Sequence, residues 1–385
     1  AGYTPPPYAR FFGTLASPII ILFLGGFMLA AGAVKYNLDK NLTNILLKPF
    51  GTKPMFIILG LMLVTAMLSA FMSNTATTAM MITVILPIIA KMEPGDPARI
   101  GVALSIPFAA NIGGIATPIG TPPNAVVIAA LNQQGLDVAF SSWIFYAAPL
   151  AIVMLLFAWR VLLWLYPPAT SKVALALDSK LKKSPSAYIL YATFAVTVIL
   201  WVTENLHGIK SSMVALLPIA VLTLTSVLDK NDIRKLPWEV LWLMAGGIAL
   251  GISMETTGLA EWMVSAISWD KFGYLMLLGV FGAVALTMSN FLSNTVTAAL
   301  LIPLAISIAT SGVIEGPEGM MLIGLVVALG CSFAMVLPIS TPPNAIAVST
   351  GMLETKHMIP AGLIVGITGL IIILLLSVFY WPLII

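Results

Sequence analysis

The sequence predicts an all-α polytopic membrane protein built from two inverted-topology repeats. Of its 385 residues, 59% are hydrophobic and only 9% are charged, whereas an ordinary soluble domain has about 25% charged residues. The apolar residues form charge-free stretches that reach the roughly 20 residues a spanning helix needs, and polar motifs recur at a constant spacing. This composition excludes a soluble enzyme, a disordered chain and a nucleic-acid-binding protein.

The apolar stretches differ in length, and these differences predict the elements. The stretches 54–90 and 272–310 are each too long for one crossing and have a central Ser-Asn-Thr, so each predicts a re-entrant hairpin of two arms. The stretches 100–131 and 319–350 contain Thr-Pro-Pro-Asn, which interrupts a helix because proline lacks a backbone N–H and displaces the preceding residue from the helical region. Each of these two therefore predicts a discontinuous helix. Single crossings are predicted at 17–34, 143–166, 186–205, 211–228, 237–253 and 358–382.

The polar motifs define an internal duplication. Ser73-Asn74-Thr75 matches Ser293-Asn294-Thr295, and Thr121-Pro122-Pro123-Asn124 matches Thr341-Pro342-Pro343-Asn344. In both cases the numbering differs by 220, which we call the repeat offset. The first repeat then covers 1–185 and the second covers 186–385.

The second repeat begins with two predicted helices that the first repeat lacks. Because the helices at 186–205 and 211–228 have no counterpart in the first repeat, we expect the native protein to carry at least two more N-terminal helices. An intact-mass measurement of a native product at the present length would contradict this expectation.

The distribution of charge predicts the orientation in the membrane. When each hairpin is treated as re-entrant, the loops on one side collect most of the basic residues: Lys35, Lys40, Lys48, Lys53, Lys91, Arg99, Lys172, Lys180, Lys182, Lys183, Lys230, Arg234, Lys235 and Lys356. The other side holds Arg10, Lys210 and Lys271 together with Asp137, Glu255, Glu261, Asp270, Glu315 and Glu318. By the positive-inside rule the first side is cytoplasmic. This predicts a multi-pass protein of the plasma membrane, or of the inner membrane if the source is bacterial, with its C-terminus outside.

The two Ser-Asn-Thr tips have the chemistry of an anion site. Ser, Asn and Thr are preferred N-cap residues, and the free backbone amides at a helix start attract negative charge. Two equivalent tips meeting from opposite sides suit a substrate with two anionic ends. A dicarboxylate fits this arrangement better than a monoanion, and a compact oxyanion such as sulfate could also bridge the tips.

A co-bound metal cation is predicted from what the core segments lack. The segments 54–90, 100–131, 272–310 and 319–350 contain no Lys, Arg, His, Asp or Glu, so no side-chain cation offsets a buried dianion. Neutral oxygen ligands suit Na⁺ rather than Zn²⁺, and the lack of intramembrane carboxylates or histidines favours Na⁺ over H⁺. The candidate ligands are Ser69, Ser73, Asn74, Ser289, Ser293 and Asn294, with main-chain carbonyls at Gly120-Thr121 and Ser340-Thr341.

No organic cofactor is expected. The twenty methionines and nine tryptophans are spread along the chain and indicate packing and interface anchoring. The single cysteine, Cys331, excludes a Cys-rich metal or iron–sulfur centre.

Taken together, the paired tips, the paired Thr-Pro-Pro breaks and the repeats resemble the divalent anion/sodium symporters, the INDY-type Na⁺-coupled di- and tricarboxylate transporters. The resemblance implies two Na⁺ sites, one at Ser69, Ser73, Asn74 and Gly120, the other at Ser289, Asn294 and the Ser340 carbonyl. It places the substrate carboxylates against Asn74, Thr75, Asn294 and Thr295, in a pocket lined by Thr121, Pro122, Thr341 and Pro342.

The resemblance also implies Na⁺-coupled symport of C4 dicarboxylates such as succinate by a homodimer in the lipid bilayer. A transport domain at about 54–166 and 272–382 would slide, as an elevator, against a scaffold at about 17–34 and 186–253. A proton-coupled or exchange-type anion transporter and a passive anion channel remain as alternatives. An enzyme is not expected, because no core segment contains a His or carboxylate to serve as a base. The sequence does not separate succinate from malate, fumarate, citrate or sulfate.

Overall fold

The computed structural model describes residues 7–172, 181–259, 262, 273–310 and 316–385, and these residues form helices without any strand. Within these ranges, six helical segments are long and apolar enough to cross a membrane. They are Tyr8–Lys35, Pro54–Phe71, Phe140–Leu165, Pro185–Val202, Tyr274–Phe291 and Thr355–Leu383. The prediction of an all-α polytopic membrane protein is confirmed.

Both predicted hairpins are present and in register. The first hairpin consists of a first arm, Pro54–Phe71, and a return arm, Asn74–Ala90. The second hairpin consists of Tyr274–Phe291 and Asn294–Ile308. Since both first arms and both return arms begin at positions separated by the repeat offset, the duplication read from the motifs extends to the whole hairpin.

Both discontinuous helices are also present. The first broken helix has the halves Ala98–Gly114 and Pro122–Gln133, and the second has Gly316–Ser332 and Pro342–Ser349. The prolines begin the second halves, where a missing N–H costs nothing because the first helical turn leaves its donors unused. The backbone outside the α-helix therefore lies just before them, at 115–121 and 333–341. We call these segments the first break and the second break.

The other helices include a second matched pair. Pro18–Lys35 and Trp238–Thr256 begin at positions separated by the repeat offset, whereas Pro185–Val202 and the pair Ser211–Val214 and Leu216–Leu224 belong to the second repeat alone. Phe140–Leu165 and Thr355–Phe379 follow the two broken helices. Between the predicted membrane segments 17–34 and 54–90, the connecting stretch contains the helix Leu38–Leu47.

The hairpins and broken helices pack crosswise. Each return arm contacts the second half of the other repeat's broken helix: Asn74–Ala90 lies against Pro342–Ser349, and Asn294–Ile308 lies against Pro122–Gln133. Within the first repeat, Ala98–Gly114 approaches the first arm so closely that a Cβ on Gly113 would lie 2.3 Å from the Cα of Ala66. Only glycine permits this approach, which brings the first broken helix onto the hairpin tip.

Polar contacts at the helix ends join residues that the positive-inside rule places on the same side of the membrane. On the predicted cytoplasmic side, Lys35 lies 2.5 Å from Asp232, and Lys182 donates to the Lys35 carbonyl at 2.7 Å. On the other side, Lys210 pairs with Asp137 at 2.8 Å. Five further charged residues on which the predicted orientation depends lie outside the described residues: Lys180, Glu261, Asp270, Lys271 and Glu315.

Asp96 joins two connecting segments on the predicted cytoplasmic side. Its carboxylate accepts hydrogen bonds from the backbone N–H groups of Ala98 at 2.9 Å, Ala169 at 3.1 Å and Thr170 at 2.8 Å, and from the Thr170 hydroxyl. Burial by itself raises the pKa of Asp96, but these hydrogen bonds outweigh it and hold the pKa below its ordinary value. The carboxylate thus ties the start of the first broken helix to the segment after Phe140–Leu165.

We expect Asp96→Asn to lower the melting temperature of the detergent-solubilised protein. The amide keeps one acceptor but loses the charge, and charge-assisted hydrogen bonds contribute about 2 kcal/mol. Because the pKa of Asp96 is lower in the folded protein than in the unfolded chain, the carboxylate stabilises the fold at pH values above the unfolded pKa of about 3.9. This contribution is lost as the pH falls through the pKa of the folded protein. The difference between wild type and variant should therefore shrink below about pH 4. Glu93→Gln, at a nearby exposed position, is the control, and an equal effect of both substitutions would contradict the assignment.

Candidate functional site

The two hairpin tips have the same local structure. Ser73 and Ser293 adopt extended backbone conformations and cap the return arms, their hydroxyls accepting from Ala76 N at 3.1 Å and Val296 N at 3.2 Å. One side chain thus satisfies one of the free donors at each helix start. Asn74 and Asn294 are the first helical residues, so both tips present a capped N-terminus at the predicted depth of the membrane interior.

Four polar groups converge beside the first tip, and we call them the first oxygen cluster. One end of the Asn74 carboxamide lies 2.5 Å from Ser69 Oγ and 3.1 Å from the carbonyl oxygens of both Ala110 and Gly120. Ser69 Oγ, fully buried, also donates to the Ala110 carbonyl at 2.9 Å. The predicted ligands Ser69, Asn74 and Gly120 are therefore brought together in space.

The chemistry of this cluster suits a cation. With its Nδ2 turned toward these oxygens, the two N–H groups of Asn74 have all three as acceptors within reach. With its Oδ1 turned there, the cluster presents four neutral oxygens and a single proton, which is on the Ser69 hydroxyl. Hard, uncharged oxygen ligands of this kind match an alkali cation. The orientation of a single carboxamide thus decides whether the cluster gains an N–H donor or a fourth oxygen.

Missing side chains at two glycines allow the cluster to form. A Cβ on Gly114 would lie 2.4 Å from the carboxamide of Asn74, and a Cβ on Gly120 would lie 2.4 Å from the Gly114 carbonyl oxygen. The Ala110 carbonyl and Gly114 were not among the predicted site residues. A main-chain ligand carries no sequence signal of its own, and the role of Gly114 depends on which residue packs against it.

The second tip has a different arrangement. Ser289 Oγ and Asn294 Oδ1 are both buried atoms without a hydrogen-bond partner in the described part of the chain. The fully buried Ser340 donates through its hydroxyl to the carbonyl oxygen of Asn290 at 3.1 Å, and Asn290 Oδ1 accepts from Val336 N at 3.0 Å. The Ser340 hydroxyl therefore donates to Asn290, a residue that was not predicted, and it accepts from Leu337 N at 3.2 Å, while the oxygens of Ser289 and Asn294 have no partner among the described groups.

A threonine on each return arm also carries an unsatisfied oxygen. The hydroxyls of Thr77 and Thr297 are fully buried and have no partner among the described groups. The two residues occupy the same position, one turn after the tip asparagine in each repeat. Their recurrence at the repeat offset is the only sequence signal that could have pointed to them.

Matched asparagines hold the two breaks in shape. Asn124 Nδ2 donates to the Thr117 carbonyl at 2.8 Å, and Asn344 Nδ2 donates to the carbonyl of Leu337, the equivalent residue, at 3.0 Å. Both asparagines are fully buried. Thr121 and Thr341, the N-caps of the second halves, are buried as well.

The remaining predicted pocket residues differ in exposure between the repeats. The half-buried ones are Ser73, Asn74, Pro122, Asn294 and Thr295, and the exposed ones are Thr75, Ser293 and Pro342. Several of these pocket residues thus remain accessible at the tips and at the second break.

Two cavities lie where the hairpin and broken-helix unit meets the helices Pro18–Lys35 and Trp238–Thr256. One of about 300 Å³ lies between Gly247, Glu255, Pro303 and Ala130, and one of about 260 Å³ lies between Ile19, Pro118 and Glu204. Neither is lined by a predicted ligand. Both cavities therefore lie at the boundary between the two sets of helices and away from the predicted ligands.

Comparisons with known proteins agree with this architecture. Residues 12–385 match the family described as the sodium:sulfate symporter transmembrane region. An uncharacterized transporter of Haemophilus influenzae is 31% identical over 95% of this chain and 82% of its own length. The sodium-dependent high-affinity dicarboxylate transporter 3 of Caenorhabditis elegans is 30% identical over 92% of this chain and 73% of its own.

A further relative and a solved structure extend the comparison. The sodium-dependent dicarboxylate transporter SdcS of Staphylococcus saprophyticus is 29% identical over 94% of this chain and 76% of its own length. The crystal structure of the Alcanivorax borkumensis YdaH transporter superposes with a TM-score of 0.62 at 13% identity, covering 98% of this chain and 89% of that one. At that identity the superposition supports the fold alone.

We expect Gly114→Ala to abolish cation binding at the first oxygen cluster. The added Cβ would displace the Asn74 carboxamide, which it would meet at 2.4 Å. The measurement is the rise in melting temperature that Na⁺ produces in detergent when it replaces K⁺. Gly279→Ala, whose Cβ would meet Leu374 at an ordinary 4.0 Å, is the matched control in a membrane helix. An unchanged Na⁺ response in Gly114→Ala would show that the cluster is not the cation site.

Proposed function

Because the chain belongs to the divalent anion/sodium symporter family, we propose that it is a secondary active transporter that couples Na⁺ to the uptake of C4 dicarboxylates such as succinate. Family membership makes the chain a membrane transporter, so the prediction that it is not an enzyme is confirmed. The observation that carries the finer proposal is the first oxygen cluster, which gathers neutral oxygens in a part of the chain without ionisable side chains.

Sodium is the proposed coupling ion because of the ligands available. Only hydroxyl, carboxamide and main-chain oxygens are available in the four charge-free segments 54–90, 100–131, 272–310 and 319–350, and a proton-coupled mechanism normally uses carboxylates or histidines inside the membrane. We place one Na⁺ at Ser69, Ser73, Asn74 and the Gly120 carbonyl. A second Na⁺ site would use Ser289, Ser293, Asn294 and the Ser340 carbonyl, where the Ser289 and Asn294 oxygens lack partners among the described groups.

The proposed substrate is a dianion held between the two tips. The N-termini of Asn74–Ala90 and Asn294–Ile308 supply partial positive charge, and Asn74, Thr75, Asn294 and Thr295 supply donors. Thr121, Pro122, Thr341 and Pro342 would line the pocket. The relatives named as dicarboxylate transporters favour a dicarboxylate over sulfate. Na⁺ binds first in this scheme, since its charge offsets the desolvation of the dianion.

We expect succinate uptake into proteoliposomes to collapse when K⁺ or choline replaces Na⁺. Asn74→Ala and Asn294→Ala should abolish uptake while the proteins still purify as folded species, and Asn231→Ala, in the loop helix Lys230–Arg234, is the control. Uptake that persists without Na⁺ but follows a proton gradient would contradict sodium coupling, and ohmic anion current would indicate a channel. Competition by malate, fumarate, citrate and sulfate identifies the preferred anion.

The elevator motion is proposed from a contact that differs between the repeats. A Cβ on Gly26 of helix Pro18–Lys35 would lie 3.2 Å from Ile119 Cδ1, and Ile119, in the first break, is 4% exposed. The equivalent residues of the second repeat are Gly246 and Ile339. A Cβ on Gly246 would meet no described atom within 4 Å, and Ile339 is 67% exposed.

This asymmetry suggests how access alternates. The first break is closed against the scaffold helix of its own repeat, while the second break is open. The open break leads through Pro342–Ser349 toward Lys356, on the side that the positive-inside rule makes cytoplasmic. A shift of the hairpins and broken helices relative to the scaffold would close Gly246 on Ile339 and release Gly26 from Ile119. We therefore propose that the structure represents the inward-open state. The homodimer and the external C-terminus also remain predictions.

We expect a disulfide between Gly26→Cys and Ile119→Cys to lock the transporter and stop succinate uptake until a reductant is added. The Cβ positions of this pair lie 3.7 Å apart, within the range of a disulfide. The pair Gly246→Cys and Ile339→Cys should cross-link only in protein that visits the opposite state. The native Cys331 is fully buried and can remain. If the second pair never cross-links during turnover, the proposed exchange of contacts is wrong.

A further inference from the structure

Asn111 forms a hydrogen-bonded bridge between the two repeats. It lies on the first half of the first broken helix and is 2% exposed. Its Nδ2 donates to Thr341 Oγ1 at 3.1 Å and to Asn344 Oδ1 at 3.3 Å, both in the other repeat. A buried carboxamide with these partners fixes the position of the second break relative to the first broken helix.

The two ends of this bridge lie at the two halves of the proposed site. Asn111 follows Ala110, whose carbonyl oxygen belongs to the first oxygen cluster. At the other end, Thr341 caps the helix Pro342–Ser349, where its Oγ1 also accepts from Asn344 N at 3.3 Å. The first oxygen cluster and the second break are thus connected through one residue and its own backbone.

Within the described residues, the bridge exists on one side only. The residue equivalent to Asn111 in the second repeat, at the repeat offset, is Cys331, and a thiol is a weak donor. Correspondingly, Asn344 Oδ1 accepts from Asn111, while the equivalent Oδ1 of Asn124 is buried without a partner among the described residues. The duplication has therefore kept both acceptors and placed a strong donor beside only one of them.

We infer that Asn111 is a positioning residue that couples cation binding at the first oxygen cluster to dianion binding at the second break. The inference rests on the proposed function. When a cation draws in the Ala110 carbonyl, the helix turn that carries Asn111 is fixed, and through it Thr341 and Asn344 are held in place for the dianion. The second break is the open one, so a ligand reaches it before the site closes, and its geometry depends on this hydrogen bond.

The test measures succinate affinity of the purified transporter with and without saturating Na⁺. Two variants remove or weaken the donor: Asn111→Leu removes it and keeps the side-chain size, and Asn111→Cys replaces it with the weakly donating thiol that the same fold holds at position 331. We expect either variant to reduce the factor by which Na⁺ strengthens succinate binding by about tenfold, the effect of one buried hydrogen bond. The rise in melting temperature caused by Na⁺ alone should persist, since no oxygen of the first cluster is removed.

A matched control separates coupling from structural support. Ser105→Ala removes a buried hydroxyl from the same helix, where it donates to the Val102 carbonyl of its own helix, and it should leave the coupling factor unchanged. Two results would overturn the inference: an unchanged coupling factor in both Asn111 variants, or loss of the response to Na⁺ alone. If wild-type protein binds succinate independently of Na⁺, the proposed function itself fails, and this is visible before any variant is made.

Discussion

The structure depends on hydrogen-bond partners for the backbone N–H and C=O groups that lie outside helices within the apolar layer of the membrane. Lipid offers no hydrogen bonds, so a broken helix is tolerated at membrane depth only where protein groups replace the missing turn. In each repeat an asparagine after the two prolines donates back across the break, Asn124 to Thr117 and Asn344 to Leu337. The hairpin of the same repeat supplies the other partner, through the carbonyl oxygens of Ala70 and Asn290. Breaks and hairpins therefore stabilise one another.

The groups left over from this arrangement form the candidate site. A broken helix exposes backbone amides at its second start and carbonyl oxygens at its first end. The amides suit an anion, and the carbonyl oxygens near Ala110 and Gly120, joined by Ser69 and Asn74, suit a cation. In the proposed function neither ligand would meet an opposite full charge from the protein, so each would stabilise the binding of the other. The coupling proposed between ion and substrate therefore rests on the absence of charged side chains from these segments of the sequence.

The two repeats share local structure and differ in their surroundings. The tips, caps and breaks coincide at the repeat offset, yet Ile119 is covered by helix Pro18–Lys35 while Ile339 is exposed. The bridge that Asn111 makes to the other repeat starts from a position that is Cys331 in the second repeat. Duplication therefore produced two equivalent sets of tips and breaks, and the packing around them covers Ile119 in the first break and leaves Ile339 in the second break exposed.

The predictions from sequence agree with the structure for features that depend on interactions between residues close together in the chain. The hairpin arms, the N-caps at Ser73 and Ser293 and the breaks before Pro122 and Pro342 follow from short motifs, because proline and capping residues act on their immediate neighbours. The helix Leu38–Leu47 was missed, since its mixed polar and apolar residues resemble a connecting loop. The hydrogen bonds of Asp96 were missed as well, because their donors at Ala169 and Thr170 lie far along the chain.

By itself, the sequence determined that this chain is a duplicated helical membrane protein with two capped tips, two breaks and no ionisable group among them. The composition, the proline positions and the internal repeat can be read directly from the sequence, and their structural effects are local. Only the tertiary structure decided that the Ala110 carbonyl joins Ser69, Asn74 and Gly120, that Gly114 leaves room for them, and that Asn111 reaches the other repeat. These features depend on which surfaces meet when distant helices pack, and no short stretch of sequence contains that information.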